Sequence, residues 1–199
     1  PRSYYVDPKT PYGTRARELV TEALQRLKAT GFDFSRLSVD SDQCVRAISV
    51  FYAGPGVNPW GKGLWPHASH LVTKLALAPG IKASDYQVTD MNTELSLGTF
   101  CHEVGHMVCD FPDLYDPGAP DAATNPNAEQ PSRGAGYYCL MSAGAGWDKK
   151  NPLQVGAYLK LMAGWAASVV TLTPGTTVTL AAGRNEFAIH RKNADEYYL

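Results

Sequence analysis

His102, Glu103 and His106 are the residues of this chain whose types and spacing bear most directly on chemistry. Residues four apart on a helix share a face, so the two imidazoles can reach one metal ion. Glu103, about 100° round the axis from His102, can stand beside that ion rather than on it. Two nitrogen ligands and a general base from one turn are the His-Glu-x-x-His spacing of a zinc hydrolase. With five His and seven Glu in 199 residues, chance supplies the pattern in about 0.4% of shuffled chains, so it counts as a signal. It is incomplete, because a catalytic zinc takes three protein ligands and keeps one position open.

The third ligand must return towards the histidines after the helix ends. Pro112 breaks any helical continuation, and Asp113 follows it, seven positions beyond His106. A sharp turn after Val108 would carry Asp113 under the imidazoles. Asp110 and Asp116 compete for the role. Asp110, if the helix runs that far, faces along the axis; Asp116 also suits a hydrogen bond to an imidazole N–H behind the metal. His67 and His70 form a second pair, three apart, read here as structural or cleft-lining.

Several elements must hold these residues. The apolar spacing of Ala16, Leu19, Val20, Ala23, Leu24 and Leu27 predicts a helix from a Thr14 cap to about Ala29, ended by Gly31. Residues 1–12 read as an extended arm. The β-branched and aromatic run from Val45 to Ala53 predicts a central strand, and Tyr86 to Thr89 a short edge strand. The helix carrying the histidines is expected from Asn92 or Thr93 to about Val108. Asp116 to Gly134 is rich in turn formers and reads as a surface excursion. Asn151-Pro152 predicts a helix start, with the helix running to about Met162 and closed by Gly164. Strands are then expected at Val169–Thr173, Thr177–Ala181, Phe187–His190 and Tyr197–Leu199. Asp40 and Asp42 raise the question of calcium, but the further oxygen ligands and central Gly of a calcium loop are missing, so no clear motif supports it.

Composition sets the class. At 44% hydrophobic and 19% charged residues the chain reads as globular. The net charge of −1 and dispersed basic residues argue against nucleic acid and against a membrane surface. No apolar run approaches the ~20 residues of a membrane span. The start at Pro1 leads to the expectation of a product processed from a precursor, and the strand-like end at Leu199 to the expectation of further chain. Four Cys with 18 Gly, 11 Tyr and 14 Pro fit a secreted protein with two disulfides, with buried reduced thiols as the alternative.

Four stretches resemble the immune inhibitor A-type metallopeptidases of the metzincin clan. His102-Glu103-Val104-Gly105-His106 followed by Pro112-Asp113-Leu114-Tyr115-Asp116 is similar to that family's zinc motif. Tyr138-Cys139-Leu140-Met141-Ser142 is similar to its Met-turn, and Tyr158 to Trp165 to the helix after it. Ile48 to Gly54 with Leu64 to His67 is similar to its upstream strand and loop. The resemblance spans about residues 45–199; residues 1–44 match weakly. It implies an α+β, metzincin-like zinc peptidase domain over residues 1–167, a twisted sheet with an active-site helix and a Met-turn. Residues 168–199 would begin a small β appendage. Met141 would lie as an apolar floor under the metal. The chain departs from the clan pattern His-Glu-x-x-His-x-x-Gly-x-x-(His or Asp) in one respect. Cys109 stands at the Gly position and Pro112 at the third-ligand position, so an extra residue moves the carboxylate to Asp113.

An unbroken helix would hold Cys101 and Cys109 about 12 Å apart, beyond disulfide reach. That leaves Cys44–Cys101 with Cys109–Cys139, the favoured pairing, or Cys44–Cys109 with Cys101–Cys139. A Cys109–Cys139 bridge would staple the turn after the active helix to the Met-turn. A thiolate ligand from Cys109 or Cys139 is the sharper alternative. The expected function is that of a secreted, monomeric zinc endopeptidase acting on proteins or peptides. One zinc would activate a water, and Glu103 would take its proton and pass it to the leaving amine. A zincin with a Glu ligand on a later helix is disfavoured, since no acid lies between Pro152 and Gly183. From a different class, the alternative is a catalytically inactive protease-like module for binding or adhesion, with a structural metal.

Overall fold

The computed structural model describes residues 2–7, 9–11, 13–56, 63–92, 94–119, 124–194 and 196–199. The fold is α+β, with two three-stranded sheets and few helices. The chain divides into two compact units, Pro1–Pro112 with Ala145–Pro152, and Asp113–Gly144 with Leu153–Leu199. No helix among the described residues is long and apolar enough to cross a membrane.

In the first unit, helix α1 is a single turn, Arg2–Tyr5, where an extended arm was expected. The Arg2 guanidinium donates to the carbonyls of Ala53 and Pro55, and that anchor accounts for the turn. Helix α2, Thr14–Ala29, has the expected span. Its cap is not Thr14, however, but Gly13, left-handed at φ 74°, a conformation that glycine adopts at no steric cost. Ala16, Val20 and Leu24, four apart, are its buried stripe, and Gly31 at φ 81° stops it.

Strands β1 (Ser49–Tyr52), β2 (His67–Ala78) and β3 (Ile81–Asp90) form one sheet in the order β1-β3-β2. β2 and β3 are an antiparallel hairpin closed at Ala78 and Ile81 around Pro79-Gly80, and β1 runs parallel to β3. The expected centre and edge are therefore exchanged. The Val45–Ala53 run yields a four-residue edge strand, while Tyr86–Thr89 lies within the central one. Tyr86, Gln87, Val88 and Thr89 are all buried, so both faces of β3 are covered and the in–out alternation that marks a strand is absent. Tyr86 and Val88 join the apolar cluster with Ala16, Val20, Leu24, Leu71 and Leu77. On the opposite face, Thr89 is level with Phe51. The Phe51 ring lies 5.4 Å from that of Phe100 on helix α3, Leu97–Cys109.

Helix α3 begins later than expected. Ser96 is its cap, its Oγ accepting the Thr99 N–H at 3.2 Å; Thr93, one of the two expected caps, lies outside the described residues. The Leu97 N–H donates to the Lys149 carbonyl at 2.7 Å, so residues 145–149 press on the start of α3. A Cβ on Gly98 would lie 1.9 Å from the Ala145 oxygen.

Asp40 and Asp42, considered for calcium, have protein partners. Asp40 Oδ1 accepts the N–H groups of Asp42 and Cys44, and Asp42 pairs with Lys74 at 2.8 Å.

In the second unit, helix α4 is only Ala157–Met162. Asn151-Pro152 does not start it, because the backbone there is bonded elsewhere: the Leu153 N–H donates to Gly144, and the Gln154 carbonyl accepts from Leu140. Strands β4 (Ser168–Thr171), β5 (Glu186–Arg191) and β6 (Tyr197–Tyr198) form the second sheet, β4 parallel and β6 antiparallel to β5. The strand expected at Thr177–Ala181 is absent. The excursion from Asp116 has neither helix nor strand among its described residues up to Gly134, and it is closed at its base by pairing of Asp116 with Ser132.

Gly98→Ala is expected to lower unfolding stability by about 2–3 kcal/mol, since backbone meets the new methyl. Gly146→Ala, whose Cβ would meet nothing within 4 Å, should leave the urea midpoint within experimental error.

Candidate metal centre

On α3, His102 and His106 are turned so that their Nε2 atoms stand 3.1 Å apart, with ring planes at 87°. The Nδ1 of His106 lies 2.6 Å from the Phe111 carbonyl. A carbonyl only accepts, so Nδ1 carries the proton and Nε2 of neutral His106 presents its lone pair. This is how a backbone group orients a metal-binding imidazole. Two ligands at ~2.0–2.1 Å from a four-coordinate ion are about 3.3 Å apart, and the Nε2 pair fits that span to within a few tenths of an ångström. His102 and Glu103 are buried, at 9% and 8% exposure.

The chain reverses at Asp110, left-handed at φ 53°. The Asp110 N–H donates to His106, the Phe111 N–H returns to the Gly105 carbonyl, and the Phe111 side chain is buried. Asp is one of the few residues other than glycine that occupies this conformation, through its short polar side chain. The left-handed position thus falls one residue after Cys109, three before Asp113.

The ligand atoms of His102, His106 and Asp113 lie within 4.8 Å of one another. Among the described residues, neither Asp110 nor Asp116 belongs to that group. Asp110 is the exposed cap. Asp116 Oδ1 accepts the Gly118 N–H at 2.7 Å, closing its own turn. In the second unit, the Leu114 N–H donates to the Met141 carbonyl at 2.7 Å, and the Leu114 carbonyl accepts from Ala135. The segment that carries Asp113 is thereby held against the turn that carries Met141. Met141 is fully buried, and its N–H faces Cys139 Sγ at 3.3 Å.

All four cysteines are free in the structure, and neither the expected Cys44–Cys101 nor the expected Cys109–Cys139 bridge is formed. Cys139 Sγ instead accepts the N–H groups of Met141 and Gly156, and Cys44 Sγ faces the Asp42 carbonyl of its own loop. Burial raises the thiol pKa of both Cys101 and Cys109.

Of the two roles left open for His67, the structure supports the structural one. Its ring, 3% exposed, lies between the Trp65 carbonyl, 2.7 Å from Nδ1, and the Tyr86 hydroxyl, 3.4 Å from Nε2. Three residues apart on a strand point to opposite faces, so His67 and His70 cannot share an ion within β2. Burial lowers the His67 pKa, and Arg17 lowers it further against the raising effect of the Trp65 carbonyl. A groove of about 1240 Å³ also runs beside α2, lined by Arg17, Glu22, Tyr52, Leu71 and Lys74 among others, but no residue of α3 lines it.

The sequence reading missed the left-handed Asp110 and the buried Gln87–Thr89 pair, whose hydroxyl-to-carbonyl distance is 2.5 Å. An Asp three residues before another acid carries no turn signal, and Gln87 stands out only once β3 is known to be central. No protein-family profile and no curated protein matches the chain.

Two outcomes follow from this geometry. Asp110→Val should cost about 1–2 kcal/mol of stability, because a β-branched residue resists the left-handed region, whereas Asp110→Gly should cost none; urea unfolding separates them. Burial lowers the His67 pKa in the fold, whereas an unfolded histidine takes up a proton near pH 6.5. Stability should therefore fall as pH drops below about 6.5, where the unfolded chain binds more protons. His67→Gln should flatten that part of the profile in melts between pH 5 and 8.

Proposed function

We propose that this protein is a zinc-dependent endopeptidase of the immune inhibitor A-type, with a metzincin-like catalytic domain, hydrolysing internal peptide bonds of protein substrates outside the cell as a monomer. The observation that carries this reading is the pair of Nε2 atoms 3.1 Å apart on one helical turn, with Glu103 buried between them in sequence. Nδ1 of His106 is locked by the Phe111 carbonyl, so the donor set is arranged before any ion arrives. His102, His106 and Asp113 would hold the ion, two neutral nitrogens and a carboxylate, a donor set that zinc favours.

When bound, zinc acidifies a water and polarises the scissile carbonyl. The rest falls to the protein's own groups. Glu103 receives the water's proton on its carboxylate and delivers it to the departing nitrogen, so one group serves as base and then acid. The Phe111 carbonyl keeps His106 in a single tautomer and ring orientation throughout. The buried Met141 turn, bonded to Leu114, steadies the segment that carries the third ligand. The clan resemblance supports an apolar floor at Met141.

Metal analysis, with casein cleavage in the presence and absence of a chelator, tests the reading. His102→Ala and His106→Ala should lose zinc. Glu103→Ala should retain zinc and lose at least ~100-fold in cleavage rate, the usual scale of a general base. Full proteolysis by Glu103→Ala would refute the mechanism. Zinc bound at one equivalent with no cleavage by the unaltered protein would instead favour an inactive binding module.

A further inference from the structure

Gln87 is completely buried on the central strand β3. Its Oε1 accepts the Thr89 hydroxyl at 2.5 Å. Its Nε2, a double donor, has no hydrogen-bond partner among the described residues. A buried amide donor left unmade costs more than the bond itself would contribute, so such a group calls for an acceptor.

The face on which Gln87 lies limits where that acceptor can stand. Gln87 and Thr89, two apart on a strand, share a face. Thr89 is level with Phe51, whose ring meets Phe100 of α3. α3 therefore covers this face of the sheet. On α3, Glu103 lies one turn beyond Phe100, on the same side of the helix, and is 8% exposed. The Gln87 side chain points along the strand towards Thr89, the level of Phe51 and Phe100. The charge of Glu103 also contributes to raising the pKa of Tyr52, the residue after Phe51, behind the larger effects of burial and of Asp90. The helix–sheet interface thus holds an amide donor without an acceptor and a buried carboxylate, whose two oxygens can accept several hydrogen bonds at once.

We propose that Gln87 is a positioning residue for Glu103: its Nε2–H donates to the Glu103 carboxylate and holds it in the orientation that serves catalysis. The contact closes by rotation about the terminal torsions of the two side chains, which are broad and soft. Thr89 holds Oε1, so Nε2 is the end of the amide that meets Glu103. The role in catalysis rests on the peptidase reading; the hydrogen bond itself does not.

The test has two arms. In the first, Gln87→Met, of similar length but without the donor, should lower kcat by ~10-fold or more at unchanged KM, the scale of a lost hydrogen bond to a charged group. Its melting temperature should not fall, since the buried donor is gone. Unchanged kcat would overturn the positioning role, and so would a loss of kcat that merely follows a loss of folded protein. In the second arm, the Gln87 side-chain amide is observed by NMR in metal-free protein. Glu103→Ala should shift its signals and speed their exchange with water by ~10-fold or more; signals indifferent to Glu103→Ala would overturn the bond. The second arm requires neither activity nor the Gln87 variant. Absence of peptidase activity in the unaltered protein would therefore sink the functional reading, while the NMR signals would still decide whether the Gln87–Glu103 bond exists.

Discussion

The hydrogen bond between His106 Nδ1 and the Phe111 carbonyl is the constraint on which the candidate centre depends. It selects the tautomer of one imidazole and fixes its plane, and so presents Nε2 beside that of His102. The bond exists only because the chain doubles back at Asp110, which brings residue 111 over the helix it has just left. A helix continuing through Asp110 would carry that carbonyl past the ring and leave the imidazole free to turn. A left-handed residue, modestly strained, is thus retained where it orders a polar group.

The helix that bears the two histidines is also held at its other end. Ser96 caps it, the Lys149 carbonyl takes its first free N–H, and Gly98 leaves room for the Ala145 oxygen. Between these ends α3 lies on a strand buried on both faces, with α2 and the apolar cluster behind it. Fixing both ends limits rotation about the helix axis, and rotation would separate the imidazoles from whatever they jointly bind. Precision at the site comes from such supports more than from the ligating residues themselves.

Two buried polar groups of the first unit have protein partners: His67 lies between a carbonyl and a phenol, and the Thr89 hydroxyl is satisfied by Gln87. Charge enters the interior at Glu103, which is buried on α3. A core in which neutral polar groups are matched tolerates burial; a buried carboxylate needs donors of its own.

The pairing of His102 with His106 was legible in the sequence because it is local: four-residue spacing on a helix puts the two on one face whatever else the chain does. The span of α2 was legible for the same reason, since its stripe and its stopping glycine act within one turn. Tertiary structure alone decided the rest. β3 became central because helices cover both its faces, and that covering removes the alternation by which a strand is recognised. α4 starts late because the backbone at Leu153 and Gln154 bonds to distant partners, which outweighs a favourable Asn-Pro start. Cys139 Sγ takes an N–H from Gly156, 17 residues on, a partner that only the folded chain supplies. The left-handed Asp110 carries no local signal. Its strain is offset by the burial of Phe111 and the hold on His106, contacts that exist only once the chain has folded back.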